Sequence, residues 1–339
     1  MPNTKPNNVP ERPGPGAQIL GDGKSCSSAI PTVEPLIVLE NTSLAPQPKR
    51  SPRLRCYSRP VKPRARDNPA ILGPLASHLP RQSLRSTRTV ATGSEAKNRR
   101  MNQMAIAREV QRKLLPQHMP ALETLDYAGS CEPAWTVGGD YYDFLDKGNG
   151  RVGFVLADVS GKGVSAALLM ANLLASVRSQ YVPALEDLGR LFRSVNKLFY
   201  ESVMEGFFAT LFFAEYFDTT RRLRYVNCGH CPAFLVHADG QCEKLRATAT
   251  VLGIFEDWDC TVGEAAISCG DILVVYSDGV TEARNGSGEF FGEERLLAAV
   301  RANASLSAKR LAKAIAEAAH DFGGKEQDDD LTLLVARAC

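Results

Sequence analysis

Val137-Gly138-Gly139-Asp140-Tyr141-Tyr142-Asp143-Phe144 is answered further along the chain by Ala157-Asp158-Val159-Ser160-Gly161-Lys162-Gly163. Two more acidic clusters complete the pattern. In Val274-Val275-Tyr276-Ser277-Asp278-Gly279 an apolar run reads as a buried strand with a carboxylate at its end, before a glycine turn. Asp328-Asp329-Asp330-Leu331-Thr332-Leu333-Leu334-Val335 puts carboxylates just ahead of another apolar strand. Acids at strand ends far apart in sequence converge only if the strands are neighbours, and converged carboxylates repel one another unless a cation compensates them. An all-oxygen donor set favours magnesium, manganese or calcium over zinc.

The chain has 339 residues, and its charge is divided unevenly. Residues 1–100 carry 17 Lys and Arg against 6 Asp and Glu, whereas the remainder carries 23 against 32. Proline follows the same division, 15 before residue 101 and 5 after it. The first segment, to about residue 95, is too poor in apolar residues to offset the entropy of ordering and is expected to be disordered. Its basic run Lys49–Arg66 could grip an anionic polymer, but it lacks aromatic interleaving and a folded frame, so no nucleic-acid partner is expected. A solvated tail, or a start at Met101 or Met104, accounts for it as well. No apolar run approaches the ~20 residues that span a bilayer, and the N-terminus lacks the apolar core of a secretory signal, so a cytoplasmic protein is expected.

Nine irregularly placed cysteines do not form a disulfide framework. Cys228 and Cys231 have zinc-like spacing but no matching second pair, and buried thiols at a strand turn are the simpler expectation.

Helical spacing of Met104, Ala107, Val110, Leu114 and Leu115, ended by Pro116, predicts a leading helix and linker over residues 96–120. Core packing is its default role, with a lever or dimer contact as the alternative. Residues 121–339 then form one domain. Strands are predicted at 125–131, 141–145 and 152–159, helices at 164–180 and 185–204, strands at 207–217, 223–227, 233–237, 260–267 and 272–276, helices at 293–302 and 307–321, and a last strand at 331–336. Short polar turns between strands imply hairpins, and paired helices between strand blocks point to an α+β, four-layer α-β-β-α sandwich of two mainly antiparallel sheets.

From about Ile106 onward the chain resembles the PPM-type metal-dependent serine/threonine phosphatases, in the bacterial branch typified by the stage II sporulation protein E and the sigma-factor regulator RsbU. The resemblance rests on the four acidic motifs together with Val110-Gln111-Arg112-Lys113-Leu114-Leu115-Pro116, Tyr225-Val226-Asn227-Cys228-Gly229-His230 and Ser277-Asp278-Gly279-Val280-Thr281-Glu282-Ala283, all in order. It implies the same sandwich fold and two divalent ions, manganese or magnesium. Asp158 would bridge them with help from the Val159 carbonyl, and Asp140, Asp278 and Asp329 would supply the other ligands or hold their waters. Asp143 and Asp330 would stand behind these. Aligning the family's closing motif on Thr332 favours Asp329 within the triple acid, with Asp328 and Asp330 as the alternatives. The implied reaction is attack of an ion-activated water on phosphoserine or phosphothreonine, with no phosphorylated side chain. The implied substrate is a small anti-sigma antagonist. His230 is either an acid toward the leaving oxygen or a hairpin cap, and Lys162 and Ser160 are possible phosphate contacts.

Two rivals differ in class. Gly138-Gly139-Asp140 superficially matches a diguanylate cyclase signature, but Tyr141-Tyr142-Asp143 interrupts it and the later acids are left unexplained. A catalytically silent phosphatase fold would bind a phosphoprotein as a scaffold without hydrolysing it.

Overall fold

The computed structural model describes residues 93–181, 186–324 and 327–339. The expected disorder before residue 96 falls outside them, apart from the residues that open the first helix. In chain order the elements are α1 (Gly93–Leu114), β1 (Leu125–Glu132), β2 (Tyr141–Gly148), β3 (Arg151–Val159), α2 (Val164–Tyr181), α3 (Leu188–Tyr200), β4 (Ala209–Phe217), β5 (Arg222–Cys228), β6 (Ala233–Val236), β7 (Cys242–Leu245), β8 (Gly263–Ala266), β9 (Ile272–Tyr276), α4 (Asp278–Thr281), α5 (Gly292–Ala302), α6 (Ala308–Gly323) and β10 (Leu331–Ala338). Among the described residues no helix is long and apolar enough to cross a membrane.

The strands form two antiparallel five-stranded sheets, ordered β1-β10-β9-β6-β7 and β2-β3-β4-β5-β8. Alternation along each strand explains the layering, since successive side chains point to opposite faces. In β3, Phe154 and Leu156 join Phe212 and Ala214 of β4 and Leu273, Val275, Leu334 and Ala336 of the facing sheet in the central core. Val155, Ala157 and Val159 point the other way, into a second core with Met170, Leu173 and Val177 of α2 and Leu191, Phe192 and Val195 of α3. On the far side Val274, Tyr276, Leu333 and Val335 pack against Leu296 and Val300 of α5 and Leu311 and Ile315 of α6. Three cores make four layers, the α-β-β-α sandwich expected. Because both faces of the central strands are covered, they read as unbroken apolar runs.

Three departures have local causes. α3 starts later than its helical spacing suggests because Asp187 caps it, the carboxylate accepting from the Arg190 N–H at 3.0 Å. β7 went unpredicted: Cys-Glu-Lys-Leu is a half-polar edge strand, paired only with β6. The leading helix covers its expected apolar stripe only in part: Met104, Ala107, Leu114 and Leu115 are half-buried, and Val110 is not. Val110 is 55% exposed, beside Met101 and Ile106 at 61% and 65%, and the residue α1 does bury is Gln111. Contact with the sandwich core comes from Leu114 and Leu115 at the helix end.

Candidate active site

The sandwich brings four strand ends to one rim. Asp140 immediately precedes β2, Asp158 is the penultimate residue of β3, Asp278 opens the one-turn helix after β9, and Asp329 lies just before β10. Pairing of β2 with β3 sets Tyr141 opposite Ala157, so the first two acids are neighbours by register. Ser277 ties the other two. Its N–H donates to the Thr332 carbonyl (3.0 Å), its hydroxyl donates to the Asp330 carbonyl (3.1 Å), and the same hydroxyl accepts from the Thr332 N–H (2.9 Å).

Burial and, after it, mutual repulsion show in the acidities. Burial raises Asp140 well above the usual carboxylate range, and the charges of Asp158 and Asp330 add to it, while the Thr332 and Ser277 hydroxyls pull the other way. Burial, then Asp278 and Asp329, push Asp158 up to about 7. Asp278 is raised by burial, Asp329 and Glu282, against a pull from the Gly279 N–H and Lys162. Asp140 Oδ2 is buried without a hydrogen-bond partner.

Asp330 does different work from its neighbours. Its Oδ1 accepts from the Ala134 N–H (2.8 Å), and its Oδ2 accepts from the N–H groups of Gly139 (2.8 Å) and Asp140 (3.3 Å). It is therefore the anchor of the loop that carries Asp140. Two glycines permit this closeness: a Cβ on Gly138 would come 1.9 Å from Asp330 Oδ2, and one on Gly279 would come 2.1 Å from the Asp330 carbonyl. Gly139 similarly keeps space open beside the Val159 carbonyl, which an added Cβ would approach to 2.5 Å.

Asp329 is ion-paired to Lys162 at 2.9 Å, and the same ammonium donates to the Asp328 carbonyl. Among the described residues no three acidic, His or Cys side chains already close into a ready-made ion cage. Beside Asp329 opens a cavity of about 400 Å³ whose lining includes Lys162, Glu282, Arg284, His320 and Gln327.

The structure sets apart other residues singled out in the sequence. The Asp143 carboxylate accepts from Arg178 Nε at 2.6 Å, and Arg178 also donates to the Leu114 carbonyl (2.9 Å), so this acid fastens the end of α1. Asp328 is exposed. The Ser160 hydroxyl accepts from the Phe208 N–H at 3.0 Å, stitching the turn after β3 to the start of β4. Cys228 and Cys231 pack into different cores, and burial pushes the Cys231 thiol up to about 12. His230 is buried, with Nδ1 2.7 Å from Thr210 Oγ1. Sequence reasoning passed over Gln111 as a functional residue although it lies in a quoted motif: it pairs with both backbone groups of Gly138.

A protein-family model described as stage II sporulation protein E (SpoIIE) matches residues 148–338. Phosphoserine phosphatase RsbU of Bacillus subtilis is 31% identical over 237 residues, covering 70% of each chain. Protein IcfG of a Synechocystis strain is 30% identical over 253 residues, 67% of this chain and 40% of that protein, so the chain spans well under half of IcfG. Among solved structures, the SiaA-PP2C domain of Pseudomonas aeruginosa superposes with a TM-score of 0.64 at 19% identity, over 73% of this chain and 99% of that one, a likeness of fold. With its two-sheet sandwich, its rim of acids and these matches, the chain belongs to the stage II sporulation protein E family.

Proposed function

We propose that this protein is a metal-dependent serine/threonine protein phosphatase acting on a phosphorylated regulatory protein. The observation that carries the proposal is the convergence of Asp140, Asp158, Asp278 and Asp329 from four strand ends, where burial first and then the charges of Asp278 and Asp329 lift Asp158 to about 7. That cluster fits hard divalent cations: every donor is oxygen, Asp140 Oδ2 is buried and unpartnered, and a glycine keeps the Val159 carbonyl approachable. Asp158 with the Val159 carbonyl, and Asp140, Asp278 and Asp329, would hold two ions, Mn2+ or Mg2+. When bound, such ions neutralise charge on the phosphoryl oxygens and make water a competent nucleophile near neutral pH.

The chain's own residues do the rest. Asp330 holds the Asp140 loop, Ser277 fixes the β9 and β10 ends together, and Gly138 and Gly279 allow the backbones to approach. Lys162, at the mouth beside Asp329, is placed to meet the anionic substrate once the acids no longer need its charge. The substrate is then a phosphoserine or phosphothreonine on a small anti-sigma antagonist, in keeping with the likeness to RsbU. A second copy is the other partner, through the exposed apolar pair Ile106 and Val110, one turn apart on α1.

Phosphate release from a phosphoserine peptide and from an aryl phosphate, by the full chain with Mn2+ and with chelator, tests the activity. Turnover that needs Mn2+ and disappears in Asp158→Asn and Asp278→Asn is expected. Mn2+ binding with no release from either substrate would favour a silent scaffold.

A further inference from the structure

The segment Asn227-Cys228-Gly229-His230-Cys231 carries the chain from β5 in one sheet to β6 in the other. It is built stiffly. Asn227 Oδ1 accepts from the His230 N–H (2.8 Å), and Asn227 Nδ2 donates to the carbonyls of Cys231 (3.4 Å) and Leu245 (3.2 Å). Gly229 sits at φ 63°, and a Cβ there would strike Val251 Cγ1 at 2.7 Å. The turn therefore presents the His230 ring in one position, 5% exposed, between the two sheets.

Each edge of that ring meets the support of a different acid. Nδ1 lies 2.7 Å from Thr210 Oγ1, and Thr210 is the direct cross-strand partner of Asp158. The other nitrogen, Nε2, is sealed from solvent without a well-formed hydrogen bond, and the ring lies within reach of the Tyr276 backbone. Tyr276 ends β9, two residues before Asp278. A buried imidazole with one unsatisfied nitrogen is an expensive way to fill a core, and a phenylalanine would fill similar space without an orphaned polar atom. Core stability alone does not account for a histidine here.

We infer that His230 is a positioning residue: a strut across the crossing of the two sheets that sets the separation of Asp158 and Asp278, and through it the affinity for divalent ions. The inference rests on the proposed function, because it requires those two acids to be ion ligands. It assigns His230 no contact with substrate and no proton transfer. Groups that orient metal ligands from behind commonly change metal affinity by about 10- to 100-fold when removed.

The test uses the full chain and Mn2+ alone, with free Mn2+ followed by its paramagnetic resonance signal, alongside metal-free thermal unfolding. Thr210→Val and His230→Phe are each expected to weaken Mn2+ binding about 10- to 100-fold. His230→Asn, whose amide reaches the position of Nδ1, keeps most of the affinity. The double variant Thr210→Val/His230→Phe is expected to be no weaker than the worse single variant, because both break the same contact. If His230→Phe fails to fold, Thr210→Val carries the test. Unchanged Mn2+ affinity in Thr210→Val overturns the strut, as does additive loss in a folded double variant. So does loss confined to variants already unfolded without metal at the assay temperature. If the unsubstituted chain itself binds no Mn2+, the proposed function fails and the strut fails with it, an outcome distinct from a variant that binds normally.

Discussion

Gln111 Nε2 donates to the Gly138 carbonyl at 2.7 Å while the Gly138 N–H donates back to Gln111 Oε1 at 3.1 Å. One side chain of α1 thus satisfies both backbone groups of the residue two before Asp140, inside a buried interface. Gln111→Ala leaves both groups unpaired, at a cost of about 1–3 kcal/mol for each orphaned group. Gln111→Glu aims a carboxylate at the carbonyl and is expected to be worse. Titration of both variants with Mn2+, beside circular-dichroism melts, should show weaker binding in the order unsubstituted, Ala, Glu.

Removing the Asp330 carboxylate strips partners from three N–H groups at once, those of Ala134, Gly139 and Asp140. Asp330→Ala is expected to lose most metal-dependent turnover even though the ligand acids remain. Asp330→Asn retains one acceptor oxygen and should fall between. Gly138→Ala must push the same carboxylate away from a would-be 1.9 Å contact and is expected to resemble Asp330→Ala. Steady-state kinetics at saturating Mn2+ against melting temperature separates the three.

Asp158 carries a stability prediction of opposite sign to its activity. Its acidity in the folded chain, about 7, lies above the ordinary value of 3.8, so between these values the folded state holds more protons than the unfolded one. Stability of the metal-free fold therefore falls as pH rises from about 4 through about 7. Asp158→Asn should shrink this slope, with Asp140 and Asp278 keeping the rest, and be more stable than the unsubstituted protein at pH 8 in chelator, by an amount on the order of a few kcal/mol, while losing turnover. Melts at pH 5 and pH 8 with and without Mn2+ check both halves; a metal-free protein equally stable at the two pH values contradicts the first.

Lys162 is the cation the acids have for themselves, 2.9 Å from Asp329 with both side chains about 40% exposed. Exposed pairs of this kind contribute about 0–1 kcal/mol, so Lys162→Gln should leave the melting temperature nearly unchanged. Its effect is expected on substrate instead: a raised KM for a phosphopeptide with Mn2+ affinity unchanged or slightly improved.

Much of this architecture was legible because burial on both faces forces strands such as Ile272–Tyr276 to be apolar throughout, and because a carboxylate at the end of such a strand is conspicuous. Asp140, Asp158, Asp278 and Asp329, singled out from the sequence, all lie at strand ends along the rim. Less visible were groups that act through backbone contacts. Nothing in the composition of α1 marks Gln111 as its buried residue while Val110 faces solvent. Within Asp328-Asp329-Asp330 three identical side chains have three situations, one exposed, one paired with Lys162 and one buried under a loop, and only the strand register distinguishes them. β7 stayed hidden because an edge strand with one neighbour needs little apolar surface.

In the sheet that carries Asp278 and Asp329, β10 lies between β1 and β9, with Leu125 paired to Ala338 and Leu333 to Tyr276. A ribosome delivers β1 early and β10 last among these elements. Until residues 331–338 emerge, β1 has no hydrogen-bonded neighbour and β9 lacks one of its two, so the β9-β6-β7 part of the sheet waits with an open edge. The rim that holds Asp329 is therefore completed only when the last strand takes its place between β1 and β9.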